Sequence, residues 1–181
     1  MIPDLKMAQG RLIEVHGSPD TDTTRIVADY IRRMQEKYDA LTCYYDIRGE
    51  LSTAVQDPAF FDKVWVAPGI STEYEQERLI YAVSCADIIV IDDITYYSGD
   101  LWKFCRSLRQ LARRYDAEII LVNQCRFGKD RDGTFVTRPY RCKTIQRYCS
   151  YSVDADTGIT RFRDPMEEGY DDFIEYLLKA K

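Results

Sequence analysis

Two groups of polar residues in this chain could bind an anion or a metal ion. The first is the loop HGSPDTDTT, residues 16–24, which follows an apolar run and precedes a helical pattern. A loop at such a position can surround phosphate with backbone N–H groups when its sequence is rich in glycine. The second is the carboxylate pair Asp92 and Asp93, which directly follows the apolar run 88–91.

Apolar periodicity predicts alternating strands and helices around these residues. Strands are predicted at 11–16, 41–45, 64–66, 87–92 and 118–122, and helices at 24–38, from near Pro58, from the capping box 72–75 to about residue 85, and at 101–115. Segments 143–153 and 159–163 predict an antiparallel hairpin, and a last helix is predicted from about residue 170. Asp22 or Thr23 is the predicted N-cap of the first helix. The alternation favours a mostly parallel sheet with helices on both faces and the hairpin at its edge.

The carboxyl ends of the predicted strands carry six candidate residues: Gly17, Asp46, Asp92, Asp93, Asn123 and Gln124. Ligands of parallel α/β sheets bind at this edge, so we expect these residues to converge there. His16 is the only histidine, and a packed or solvated role is expected for it rather than a catalytic one.

Composition limits the remaining possibilities. With 181 residues, 45% hydrophobic and 30% charged, the chain is expected to form a single domain over residues 1–181. It shows no signal-peptide pattern and no apolar run long enough to span a membrane, which predicts a cytoplasmic protein without membrane contact. Six cysteines without a C-x-x-C pair, together with one histidine, predict reduced thiols and no zinc site.

Positive charge is concentrated in one segment of an acidic chain. The formal net charge is −5, yet residues 126–147 hold seven basic and two acidic residues. Aromatic residues alternate with the basic ones in this segment, CRFGKDRDGTFVTRPYRCK. Basic groups can follow a phosphate backbone while aromatic rings stack on bases, so the segment predicts a single-stranded nucleic-acid contact. The alternative is a solvated hairpin with buried aromatic residues.

In this order the motifs resemble the RecA/DnaB superfamily of P-loop NTPases, the core of recombinases and hexameric helicases. The resemblance covers roughly residues 10–175 and rests on the segments GRLIEVHGSPDTDTT, TCYYDIRGELS, ADIIVIDD, LRQLARRYDAEIILVNQ and YSVDADTGITRFRDPMEEGYDDF. It implies an α/β fold with a RecA-like three-layer core, in which a mostly parallel twisted sheet is flanked by helices and closed by a C-terminal antiparallel hairpin. It also implies that the first loop corresponds to Walker A, Asp92 to the Walker B aspartate, and Gln124 to a nucleotide sensor that leads into a DNA-binding loop.

The active-site residues depart from this pattern. Aligned on Gly17 with G-x-x-x-x-G-K-[ST], Asp22 stands at the second glycine, Thr23 at the lysine and Thr24 at the hydroxyl. A carboxylate about 4 Å from a phosphate oxygen is repelled by about 1 kcal/mol in water, or about 4 kcal/mol at an effective dielectric of about 20. Arg48 stands where the recombinases carry the glutamate that orients the attacking water, and a guanidinium cannot act as a general base.

The resemblance and its departures together predict no catalytic residue and no cofactor, with at most weak Mg-ATP binding. The vestigial or weak nucleotide site comprises Gly17, Asp22, Thr23, Thr24, Asp92 and Gln124, of which Thr24 and Asp92 would hold Mg²⁺ if it binds. The predicted nucleic-acid contacts are Arg126, Lys129, Arg131, Arg138, Tyr140 and Arg141.

The sequence therefore predicts a non-hydrolysing RecA-like accessory protein in DNA recombination, repair or replication. It would bind single-stranded DNA weakly, dock on a recombinase or helicase, or associate with itself. Two alternatives stay open: an NTPase whose atypical loop is completed in trans by a partner's basic residue, and a protein-interaction module, which the 14 tyrosines suggest.

Overall fold

The computed structural model describes residues 10–69, 73–129 and 131–162. Within them the strands are β1 Arg11–Gly17, β2 Thr42–Asp46, β3 Val64–Ala67, β4 Ile88–Asp92, β5 Glu118–Lys129, β6 Phe135–Pro139, β7 Tyr151–Asp154 and β8 Thr160–Phe162. The α-helices are α1 Thr23–Tyr38, α2 Leu51–Ala54, α3 Glu73–Cys85, α4 Leu101–Tyr115 and α5 Cys142–Tyr148, and 3₁₀ turns cover Pro58–Lys63 and Ile94–Tyr96.

The strands form one sheet in the order β3-β2-β4-β5-β1-β7-β8. All neighbours from β3 to β7 run parallel, while β8 is antiparallel to β7 at the edge. The far end of β5 continues past the sheet and pairs with antiparallel β6. The predicted mostly parallel α/β sheet with an antiparallel edge hairpin is confirmed.

Strand β4 shows why the core has three layers. Its side chains alternate between two hydrophobic clusters, with Ile89 and Ile91 in one and Ile88 and Val90 in the other, and all four are fully buried. Helices α3, α4 and α5 cover the first face, and α1 and α2 cover the second. A strand covered on both faces requires the continuous apolar run that the sequence shows.

The long helices follow their predicted bounds closely. The Asp22 carboxylate caps α1 by accepting the Arg25 N–H at 2.9 Å, and Asp100 caps α4 through the Trp102 and Lys103 N–H groups. Such caps contribute about 1 kcal/mol each. Because α1 starts against the end of β1, the loop between them lies at the carboxyl edge of the sheet.

Two strand predictions need correction. Residues 143–153 are not one strand, because residues 142–148 form helix α5, which buries Ile145, Tyr148 and Cys149. That spacing of three and four residues is helical, although the side chains also suit strands. Strand β5 extends to Lys129 rather than ending at residue 122.

Some predictions lie outside the described residues. These are Thr72, which opens the predicted capping box, Arg163, which ends the predicted hairpin strand, and the helix from about residue 170. Across the described part of the chain, none of the helices combines the length and the apolarity needed to cross a bilayer.

Candidate functional site

The loop between β1 and α1 uses its own backbone donors. The Thr21 N–H donates to the Ser18 carbonyl at 3.0 Å, and the Thr23 N–H donates to the Thr21 carbonyl at 2.8 Å. The Ser18 N–H donates to a carboxylate oxygen of Asp156 at 2.9 Å. These three donors are therefore already occupied by groups of the protein. A phosphate-binding loop instead leaves such N–H groups available for its ligand.

Gly17 is required by the packing of this loop. A Cβ at this position would lie 2.8 Å from Thr23 Cγ2 and 3.1 Å from Thr21 Cβ. The glycine that matches the first Walker A position is therefore explained by a close approach of threonine side chains, with no ligand needed.

Asp156 contacts this loop from another part of the chain, and the sequence gave no signal for that contact. It lies in the turn between β7 and β8. Besides the Ser18 N–H, its carboxylate accepts the Ser18 hydroxyl at 3.0 Å and the Thr21 hydroxyl. The Thr21 hydroxyl is the largest of the contributions that hold the Asp156 pKa below its usual value.

Asp92 is the centre of a buried hydrogen-bond cluster. One of its oxygens accepts the Thr24 hydroxyl at 2.7 Å and the Tyr44 hydroxyl at 2.6 Å. Burial raises the pKa of Asp92 to about 6, against the opposing effect of these two donors. Burial, followed by the nearby Asp92, raises the pKa of Tyr44 well above its usual value. Thr24 and Asp92, the residues predicted to hold Mg²⁺ if it binds, thus form a hydrogen bond with each other. Tyr44 is an additional partner of Asp92 that lies on an apolar strand, and the sequence gave no signal for it.

The acidic residues beside Asp92 are engaged as well. Asp46 accepts the N–H groups of Glu50 and Leu51 at 3.0 and 3.1 Å. Arg48 pairs with Glu50 and lies 3.9 Å from Asp93. Burial raises the pKa of Asp93, which is joined to Asp92 by a cis peptide bond. Asp46, Glu50 and Asp93 are therefore each held by protein groups or by burial.

A cavity of about 510 Å³ opens beside the loop. It is lined by residues 18–24 together with Arg48, Glu50, Thr53, Ala54 and Gln124. This volume suits a small ligand. Three lining carboxylates, from Asp20, Asp22 and Glu50, outnumber the single lining guanidinium, so the charge opposes a polyphosphate.

The second candidate site is the ribbon formed by the end of β5 and by β6. Arg126 lies directly opposite Arg138 in the antiparallel register. Like charges in directly opposed positions destabilise a strand pair, so this pairing concentrates positive charge at one place on the ribbon. The Arg126 guanidinium also lies 4.1 Å from the centroid of the Tyr140 ring, and that of Arg141 lies 5.3 Å from it. We call Arg126, Arg138, Tyr140 and Arg141 the cationic patch.

The other predicted residues of the ribbon lie away from this patch. Phe127 and Phe135 are 68% and 72% exposed, so the alternative of buried aromatic residues is wrong for both. The Lys129 ammonium lies 4.8 Å from the centroid of the Phe135 ring. Arg131 lies in the turn at the tip.

A buried polar cluster anchors the base of the ribbon. The Asn123 side-chain amide donates to Glu14 at 2.7 Å and to the Tyr140 carbonyl at 2.9 Å. The other Glu14 oxygen accepts the Ser152 hydroxyl at 2.9 Å, and all three side chains are buried. The predicted strand-end residue Asn123 is thus internal, whereas Gln124 lines the cavity.

Comparison with known proteins supports one conclusion, on the fold. No family model and no curated protein matches the chain. The crystal structure of the RadB recombinase is similar, with a TM-score of 0.58 over 82% of this chain and 75% of that chain, at 18% sequence identity. The chain has a RecA-like fold.

The RecA-like fold brings the predicted loop, Asp92 and Gln124 to one edge of the sheet. Strand β5 lies between β1 and β4, so Gln124 follows the strand that separates the loop from Asp92. Among the described residues, no group of three or more histidine, cysteine or acidic side chains is arranged to hold a metal ion. Five cysteines form no disulfide, and of these all but the half-buried Cys85 are buried: Cys43, Cys85, Cys105, Cys125 and Cys149.

Proposed function

We propose that this chain is a non-hydrolysing RecA-like accessory protein in DNA recombination, repair or replication, and that it binds single-stranded DNA. The observation that carries the proposal is the cationic patch, in which Arg126 opposes Arg138 and the guanidinium groups of Arg126 and Arg141 both contact the Tyr140 ring. Guanidinium groups beside the half-buried Tyr140 ring suit a phosphate backbone, and the exposed Phe127 and Phe135 rings of the same ribbon can stack on bases.

The β1–α1 loop and Asp92 support the absence of ATP hydrolysis in this proposal. A Mg-ATP fits these residues poorly, because three backbone donors are occupied, no lysine is present in the loop and Tyr44 already donates to Asp92. The chain would then act as a degenerate ATPase that docks on a RecA-like recombinase or helicase, or on itself, in the cytoplasm.

Charge reversal of the patch tests the DNA contact. We expect Arg138→Glu with Arg141→Glu to weaken binding of a labelled single strand at least about tenfold and to reduce the slope of log affinity against log salt by about 1.4, since two phosphate contacts are lost. Fluorescence anisotropy across a salt series measures both.

The matched control is Arg113→Glu with Arg114→Glu, which makes the same change in net charge at the end of α4. Because α4 ends just before β5 begins, this pair lies at the opposite edge of the sheet. Equal losses of single-strand affinity in the two double variants would show that the effect depends on net charge alone, and would contradict a defined contact at the cationic patch.

A second candidate function is nucleotide binding with the loop completed in trans, and the cavity beside Thr24 favours it. A thermal shift with millimolar Mg-ATP separates the two. We expect no shift for the natural sequence and a shift of roughly 5–10 °C for Asp22→Gly with Thr23→Lys and Asp156→Ala, the last of which frees the Ser18 N–H, since ligand at about 100 times its Kd stabilises by about 2.7 kcal/mol. A shift of the natural sequence that disappears in Asp92→Asn would establish the second candidate instead.

A further inference from the structure

The turn between β7 and β8 contacts the β1–α1 loop through one carboxylate. One oxygen of Asp156 accepts the Ser18 N–H, and the other accepts the Ser18 and Thr21 hydroxyls. Both oxygens of an exposed side chain are thereby bound to donors that lie 135 and 138 residues away. Several donors converging on two carboxylate oxygens is the arrangement by which loops hold an oxyanion.

The turn holds Asp156 in place independently of those contacts. Asp154 accepts the N–H groups of Asp156 and Thr157 at 3.0 and 3.3 Å. The Ala155 N–H donates to the His16 carbonyl at 2.8 Å, which attaches the turn to the end of β1. The carboxylate is therefore presented to the loop by backbone that is fixed on the sheet.

We propose that Asp156 is an internal anion that occupies the loop donors a phosphate group would use, so that the β7–β8 turn closes this loop to phosphate-bearing ligands. A phosphate that approaches the Ser18 N–H must displace the Asp156 carboxylate or lie beside it, where the two negative charges repel each other. This inference rests on the part of the proposed function in which the loop holds no nucleotide, and it is independent of the cationic patch.

Pyrophosphate without a metal ion is the probe. We expect Asp156→Ala to bind it at least about tenfold more tightly than the natural sequence, because this change frees the Ser18 N–H and the Ser18 and Thr21 hydroxyls and removes a negative charge. Asp156→Asn should gain less affinity, because it removes the charge but keeps an amide oxygen that accepts from the same donors. Isothermal titration calorimetry of the full chain measures the affinities.

Asp132→Asn is the matched control, since it removes an exposed carboxylate from the turn between β5 and β6. This variant is expected to bind pyrophosphate as the natural sequence does. Equal affinities for the natural sequence and Asp156→Ala, an equal gain in Asp132→Asn, or no binding by any variant would overturn the proposal.

Hydrogen exchange gives a readout that needs no ligand. In Asp156→Ala the Ser18 amide should exchange faster, while the Thr21 amide, which donates to the Ser18 carbonyl, keeps its rate. An unchanged Ser18 rate would exclude the contact. Single-strand binding is measured on the same variant: a chain that binds no DNA yet gains pyrophosphate affinity in Asp156→Ala refutes the DNA contact and retains this inference.

Discussion

Replacing Asp92 by asparagine should remove a pH dependence of stability worth roughly 3 kcal/mol. Burial raises the pKa of Asp92 to about 6 in the folded chain, against an ordinary value of 3.8. Below the ordinary value the carboxyl group is protonated in both states, and its contribution to stability is fully present. As the pH rises to the folded pKa, the unfolded chain loses its proton first, so the free energy of unfolding falls.

Urea denaturation of the natural sequence and of Asp92→Asn, between about pH 3 and pH 7, measures this difference. We expect the natural sequence to lose roughly 3 kcal/mol relative to the variant over that range, since asparagine does not titrate. Compared with Asp132→Asn, the natural sequence should instead gain stability as the pH rises, because the Thr134 N–H lowers the pKa of Asp132. If the difference in free energy of unfolding between the natural sequence and Asp92→Asn does not change with pH, Asp92 is not buried in its protonated form.

Asn123→Leu should destabilise the fold by about 3 kcal/mol. The substitution removes the donor to Glu14 and to the Tyr140 carbonyl and leaves both acceptors without that partner. Glu14 is fully buried, so water cannot replace the lost hydrogen bond. Because Tyr140 is part of the cationic patch, the same variant should also weaken single-strand binding at temperatures where it remains folded.

Two further variants separate this cause from general damage to β5. Gln124→Leu changes the neighbouring amide, which lines the cavity, and should change stability by less than about 1 kcal/mol. Glu14→Leu with Asn123→Leu should be more stable than Asn123→Leu alone, since both polar partners are then replaced by apolar groups. Additive losses in the double variant would mean that the two side chains do not act together.

Sequence reasoning succeeded where local chemistry decides. The fully apolar run of β4 requires cover on both faces, and Asp22 has the position and the carboxylate of an N-cap. Alternating strands and helices leave few topologies, so the parallel order and the convergence of the loop, Asp92 and Gln124 followed from short-range patterns. Helix α5 was missed because its few residues carry side chains that suit strands and helices alike.

Only the tertiary structure decided which polar groups meet. Tyr44 reaches Asp92 because β2 and β4 are adjacent, and Asp156 reaches Ser18 because β7 pairs with β1. The opposition of Arg126 and Arg138 depends on the register of β5 and β6, and a slip of one residue would separate them. The sequence specifies which groups can cap, pair or bind, whereas strand order and register set the distances that determine which of them do.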